Sequence, residues 1–441
     1  MIWVAVDTAT FFMPACFAGR KSHRYFKWLC IASNLLQMNL ILVCCVFCHM
    51  KRIVSIPFLF LVLMNARAQD TTASYFYVKT TGQLPFLEYG LGDDRLGGAK
   101  MTFLDTNVVL KVIDSVGTDY KVQLSRYHTG YIAKANVKPD TAQHNKPYYL
   151  TASWRVYGNA THDIVAVGME ERLPYRSIQQ INPSRLVVDI FGVTSNTNWI
   201  TQLKSVKEIR NAWYEQVEDD VLRVFIELKH QQHWGHYIAY DSSGKRLMIR
   251  IKRQPEKLCM KNLVIAVDAG HGGSNTGASG VISKGFEKMY TLQFAEALQK
   301  YLGRKGAHVY MTRTLDVDLS MTDRTLALRQ QDPNLLISLH LNSAGNPAAK
   351  GTSTYYRYIG FRPLTQTILD RMLELGLDNY GNIGNFNFAL SGPTEYPNCL
   401  VEIAFLSNEE DERRIMDPKF HRAVAKKIYK GIKDWLKASR K

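Results

Sequence analysis

Four short segments in the last third of the chain hold the residues best suited to chemistry: VDAGHGG (267–273), GFEKMYTL (285–292), SLHLNS (338–343) and LVEIAFLSN (400–408). Each contains one side chain able to bind a divalent metal or move a proton, namely His271, Glu287, His340 and Glu402. Two neutral imidazoles and one carboxylate form the open ligand set of a hydrolytic zinc site, and a further glutamate can serve as its base. Glu402 stands in an apolar run, where a carboxylate without a partner costs on the order of several kcal/mol. It therefore needs a reason to be there, and a proton-shuttling carboxylate in a half-buried cleft is one.

These residues must be positioned by the elements around them. Residues 263–267 read as a continuous apolar strand and 287–302 as a helix with Leu292, Ala295, Leu298 and Leu302 on one face and Gly303 just beyond it. Residues 307–312 and 335–339 read as strands, and 399–403 as another. Ser320 and Asp323 form a capping pair that opens a helix running through Arg329. Residues 364–375 are helical, and Asp417-Pro418 opens a last helix carrying Phe420, Val424, Ile428, Ile432 and Trp435. This alternation predicts an α/β domain over 258–441, with helices on both faces of a mostly parallel sheet. In such a sheet, functional groups gather where strands end, and this brings His271, His340 and Glu402 to one rim. Glu287 stands in the first turn of its helix, where the macrodipole favours an ionised carboxylate. Gly270, Gly272 and Gly273 are expected to leave room for a substrate to approach.

The order and spacing of DAGHGG, GFEK, ISLHLN and CLVEIAFLSN resemble the zinc N-acetylmuramoyl-L-alanine amidases of the amidase-3 family, over residues 258–441. The resemblance implies that His271, Glu287 and His340 are zinc ligands and that Glu402 is the catalytic acid/base. Arg313 and Arg324 match family positions too, as helix-fixing ion pairs or as substrate contacts. Asp268 is a candidate for orienting a ligand. The implied reaction is hydrolysis of the amide between the lactyl group of N-acetylmuramic acid and L-alanine of peptidoglycan: zinc acidifies a bound water, and Glu402 relays its proton to the leaving amine. A catalytically silent peptidoglycan-binding protein is the alternative. Departures from the family pattern are Ala269 for a common proline, Leu341 for a small residue, and Ile403-Ala404 for Thr-Gly. Some relatives carry an inhibitory helical insertion before the last catalytic strand. Residues 355–390 have room for one helix and a loop rich in glycine and asparagine, so no such plug is expected.

Ahead of this domain the pattern changes to short β-rich runs. Residues 72–138 hold strand-like segments around a turn at Gly117-Thr118-Asp119 and a closing GYIA, and resemble a bacterial SH3-like barrel. A polar stretch from Lys138 to Pro147 reads as a linker. Residues 146–254 contain SRLVVDIFG and VLRVFIEL, and resemble the AMIN β-sandwich often found before such amidases. His230, His233 and His236 in HQQHWGH invite a metal reading. Steps of three on a strand place neighbours on opposite faces, which favours a partly exposed aromatic edge instead. The fold class is thus a C-terminal α/β domain preceded by two small all-β domains.

Composition bounds the setting. Hydrophobic residues at 46% and charged residues at 21% argue against wholesale disorder. A formal charge of +16 suits a polyanion such as nucleic acid, membrane or acidic cell wall, and equally suits plain solubility. Zinc-finger spacing, RNP segments and dense arginine runs are absent, which argues against nucleic acid. Five of the seven cysteines precede Met50, so the rest of the chain has only Cys259 and Cys399 and no disulfide framework. Met50-Lys51-Arg52, the apolar run 53–64 and the small residues before Gln69 have the layout of a signal peptide over 50–69. Residues 1–49 then read as an extension or a misassigned start rather than a membrane anchor at 28–47. The expected setting is the periplasm or cell envelope. Peptidoglycan is the expected partner, the protein is expected to be a monomer, and the β-domains are candidates for contacts with cell-division or cell-wall proteins.

Overall fold

The computed structural model describes residues 75–92 and 97–440. The expectations for 1–49 and for a signal segment at 50–69 lie outside the described residues. No helix among the described residues is long and apolar enough to cross a membrane.

The first β-region is a seven-stranded antiparallel sheet. Its strands are β1 (Phe76–Thr80), β2 (Phe86–Glu88), β3 (Lys100–Phe103), β4 (Val109–Val116), β5 (Asp119–Gln123), β6 (Thr129–Ala133) and β7 (Val137–Pro139). They lie in the order β3-β2-β6-β5-β4-β1-β7. Alternation along β4 buries Leu110 and Val112 and turns Lys111 outward, against Val78, Val122 and Ile132. Val116 pairs with Asp119, so Gly117 and Thr118 form a two-residue hairpin turn, and Gly117 takes the positive φ (57°) such turns require. Lys138 and Pro139 pair with β1, so chain expected to be linker is an edge strand up to Pro139. Beyond it, His144 is held between Asp140 and Tyr149 at 2.8 and 2.6 Å.

The second β-region has two sheets. One contains β10 (Tyr175–Ile181), β11 (Ser184–Phe191), β15 (Val221–Leu228) and β14 (Ile209–Glu218) in that order. The other contains β12 (Val193–Thr194), β8 (Tyr149–Gly158), β9 (His162–Met169), β17 (Arg246–Lys252) and β16 (His236–Tyr240), with β13 (Ile200–Gln202) paired to β8. The predicted strands SRLVVDIFG and VLRVFIEL are antiparallel neighbours, with Leu186 opposite Ile226. Their apolar side chains join those of the first region in one continuous core.

The histidine run departs from expectation. Residues 229–235 are not strand, and His233 and His236 are each only 3% exposed. The three imidazoles have separate partners: Glu208 for His230, the Gln180 carbonyl for His233 and Ser177 for His236. His230 stays half-exposed, whereas residues 232–236 are buried because they form the seam with the C-terminal domain. Gln232 donates to the Gly360 carbonyl and accepts from the Trp435 indole, both at 2.8 Å, and the Trp234 and Trp435 rings lie 4.8 Å apart.

The C-terminal domain contains β18 (Val264–Ala269), α1 (Glu287–Arg304), β19 (His308–Met311), α2 (Met321–Gln331), β20 (Leu335–Asn342), β21 (Thr352–Tyr355), α3 (Arg362–Leu373), β22 (Asn379–Ile383), β23 (Asn398–Phe405), α4 (Glu409–Ile415) and α5 (Pro418–Ala438). The sheet order is β19-β18-β20-β23-β21-β22. Strands β19, β18, β20 and β23 are parallel, and β21 runs against β23. Successive residues serve opposite faces. Ile265, Val267, Ile337 and Leu339 meet Leu298, Ile368 and Trp435 on the α1/α3/α5 side, while Ala266 and Leu336 meet Leu328 of α2 and Tyr396. The Ser320 hydroxyl caps α2 by accepting from the Asp323 amide, and Asp417 caps α5 beside Pro418.

Trp435 is fully buried and its indole N–H has its partner across the seam. Trp435→Ala is expected to destabilise the C-terminal domain by about 3–5 kcal/mol through the cavity it leaves. A urea titration followed by circular dichroism reads this as a lowered midpoint, and an unchanged midpoint contradicts it.

Candidate metal centre

His271, Glu287 and His340 meet at the C-terminal edge of the parallel strands. Glu287 Oε1 lies 3.1 Å from His271 Nε2 and 3.2 Å from His340 Nδ1, and the donor atoms of all three lie within 4.8 Å of one another. A tetrahedral shell with bonds of about 2.0–2.2 Å places neighbouring ligand atoms roughly 3.3 Å apart, so this donor set fits a single small divalent ion. Burial alone would raise the Glu287 pKa, but hydrogen bonds from both imidazoles outweigh it and hold the carboxyl well below its usual range. The carboxylate is also fixed by backbone amides, with Ala278 N–H donating to Oε2 and Leu341 N–H to Oε1, both at 2.9 Å.

Each ligand candidate is aimed by its surroundings. His271 follows β18 in a left-handed backbone conformation (φ 62°). Its Nδ1 lies 2.9 Å from Asn275 Oδ1, and an N–H donated there reserves Nε2, the nitrogen that faces Glu287, for a metal ion in place of the proton it otherwise shares with that carboxylate. Asn275 was invisible in the sequence because its contact depends on a turn closed by Gly272 N–H to the Asn275 carbonyl. The glycines do something other than admit substrate. A Cβ on Gly270 would lie 2.4 Å from the His340 ring, one on Gly272 2.6 Å from the Val317 carbonyl, and one on Gly273 2.3 Å from the Asp318 carboxyl. Protein atoms already fill that space, and at Gly270 the atoms are those of the second imidazole.

Two arginines hold the loop backbone. Arg313 is buried and donates to the carbonyls of Ala269, Gly270 and Lys288, tying the loop to the first turn of α1. Arg324 pairs with Asp268 at 2.6 Å, both side chains 1% exposed, and donates to the carbonyls of Ala269 and His271. Burial would raise the Asp268 pKa, but Arg324 and the hydroxyls of Thr312 and Ser338 outweigh it and lower the value. Asp268 therefore acts on the His271 loop through Arg324 and touches no donor atom of the cluster itself.

Glu402 lies on β23 directly opposite His340 of β20 and is 6% exposed. It lines the same cavity of about 610 Å³ as His271, Glu287 and His340. Phe388, Ala389 and Leu390, from the connection between β22 and β23, supply an apolar wall that the sequence did not single out.

Residues 265–434 match the Amidase_3 family, described as N-acetylmuramoyl-L-alanine amidase. Among the chain's relatives is a probable cell wall amidase LytH of Staphylococcus epidermidis, 33% identical over 178 residues, which cover 40% of this chain and 60% of that protein. The LytH of Staphylococcus saprophyticus is 26% identical over 252 residues, 55% of this chain and 85% of its own length. The chain thus spans about 60% of the first curated relatives it matches. Among solved structures, the catalytic domain of CwlV, an N-acetylmuramoyl-L-alanine amidase from Bacillus (Paenibacillus) polymyxa var. colistinus, is 30% identical with a TM-score of 0.38, covering 40% of this chain and 98% of that one.

Asn275→Ala removes the group that fixes the His271 tautomer. It is expected to weaken binding of zinc(II) added to metal-free protein by about 10–100-fold. Competition with a chromophoric chelator measures this, and wild-type affinity in the variant contradicts it.

Proposed function

We propose that the protein is a zinc-dependent N-acetylmuramoyl-L-alanine amidase that cleaves the bond between the lactyl group of N-acetylmuramic acid and L-alanine in peptidoglycan. The observation that carries the reading is the placement of one glutamate oxygen between two imidazole nitrogens, at 3.1 and 3.2 Å, inside a domain of this family. His271, Glu287 and His340 would hold the ion, which when bound acidifies a water molecule and polarises the scissile carbonyl.

The remaining chemistry belongs to Glu402. Its carboxylate stands on β23 opposite His340 and lines the same cavity as the three ligand candidates, where it can serve as the base. It takes a proton from water as the C–O bond forms and returns it to the nitrogen as the C–N bond breaks. The products are a lactyl carboxylic acid and a free amino terminus. Asn275, Arg313 and Arg324 keep the His271 loop in place through both steps.

The same reading assigns residues 72–138 to an SH3-like barrel and 146–254 to an AMIN-like module, both serving attachment to the cell wall. The layout of residues 50–69 and the cell wall amidases among the relatives support an exported protein acting in the periplasm or envelope.

Hydrolysis of purified peptidoglycan, followed by mass spectrometry of the released stem peptides, tests the proposal. The expected products carry a free L-alanine terminus, and a metal chelator abolishes their release. Glu402→Gln is expected to lower kcat by about 10²–10⁴-fold while metal content stays at the wild-type level. Intact peptidoglycan after incubation with metal-loaded wild-type protein, or near-wild-type turnover by Glu402→Gln, contradicts it.

A further inference from the structure

The apolar wall of the cavity belongs to a long connection, residues 384–397 between β22 and β23. Connections of this length are ordinarily where a chain adopts several conformations. Here the wall is held from two sides. On one side Phe386 and Phe388 pack against Tyr355 of β21, with ring centroids 5.0 and 5.4 Å away. On the other, Asn387 reaches the first β-region. Its Nδ2 donates to the Gly98 carbonyl at 2.7 Å, and its Oδ1 accepts from the Lys100 backbone N–H at 3.3 Å and from Arg357 at 2.7 Å. Arg357 also donates to the Lys100 carbonyl.

These bonds use a feature peculiar to β3. It is the end strand of its sheet, paired only with β2, so half of its backbone groups face away from the ladder. Such groups need partners when covered by another domain, and the Asn387 amide and Arg357 guanidinium supply donors and an acceptor in matching positions. Farther along β3, the Phe103 ring lies against Gly392 at the end of the wall, and the Tyr358 hydroxyl donates to the Gly392 carbonyl at 2.7 Å.

We propose that the first β-region is a working part of the substrate groove: through Asn387 and Arg357 its β3 edge fixes the 384–391 wall against which the stem peptide lies. This rests on the amidase reading and adds two positioning residues outside the metal cluster. Phe388 and Leu390 offer apolar surface to the aliphatic part of the peptide. That contact is made equally in ground and transition states, so losing its position raises KM and leaves kcat nearly unchanged.

The test uses the full chain with Asn387→Ala, Arg357→Ala and Arg357→Lys, a soluble N-acetylmuramoyl tripeptide as substrate, and hydrogen exchange of the 384–391 amides. Asn387→Ala and Arg357→Ala are expected to raise KM about tenfold, with kcat within about twofold of wild type. Lysine keeps one donor without the planar fork, so Arg357→Lys is expected to restore part of KM. The 384–391 amides are expected to exchange at least about tenfold faster in both alanine variants, while β18, β20 and β23 keep their protection. Should Arg357→Ala fail to fold, Asn387→Ala, which removes no charge, carries the test. Unchanged KM in a folded Asn387→Ala variant overturns the proposal, whether or not exchange quickens. Should the wild-type protein not cleave the tripeptide, the amidase reading fails first. Exchange then decides for the clamp alone, with faster exchange supporting it and unchanged exchange refuting it.

Discussion

The C-terminal site depends on how the Glu287 carboxylate is held. It is 4% exposed, and its two oxygens receive backbone N–H groups from the loop before α1 and from the end of β20. The imidazoles of His271 and His340 approach the same oxygen from the loop after β18 and from β20. A carboxylate so deeply buried stays ionised only while those donors converge on it. The constraint runs in both directions: the elements bring the donors together, and the buried charge penalises any arrangement that separates them. Asp268 repeats the pattern one layer below, a buried carboxylate neutralised by Arg324, whose other nitrogen grips the His271 carbonyl. Two buried acids thus tie the loop after β18 to α1, α2 and β20.

Most of this was legible in the sequence because it follows from periodicity and residue type. The apolar runs of β18, β20 and β23 appear as strands because they are buried on both faces. His340 and Glu402 stand on β20 and β23, His271 follows β18, and Glu287 opens the first helix. What was not legible depends on groups brought together by tertiary structure. Asn275 acts through a turn of its own chain, and Gly270 matters because a histidine seventy residues later occupies its missing side chain. The partly exposed edge that local spacing predicts holds at His230 and fails at His233 and His236, because spacing says nothing about a domain packing over them. From sequence alone the loop glycines suggest space for substrate, whereas protein atoms fill the positions their side chains would take.

The β-regions are not appended loosely. Their apolar residues form one core, and the seam with the C-terminal domain is made by Gln232, Trp234 and Trp435 on one side and by the β3 edge on the other. Such contacts satisfy backbone groups that each domain alone would leave facing solvent. In this arrangement the connection that walls the cavity of the C-terminal domain is hydrogen-bonded to chain that lies nearly three hundred residues earlier.

Anomalous diffraction at the zinc edge from crystals grown with the metal tests the central claim most directly. A zinc amidase centre predicts a single strong peak about 2.0–2.2 Å from a nitrogen of His271, a nitrogen of His340 and an oxygen of Glu287. A peak held by other side chains, or none in protein shown to be folded and exposed to excess zinc, would contradict it.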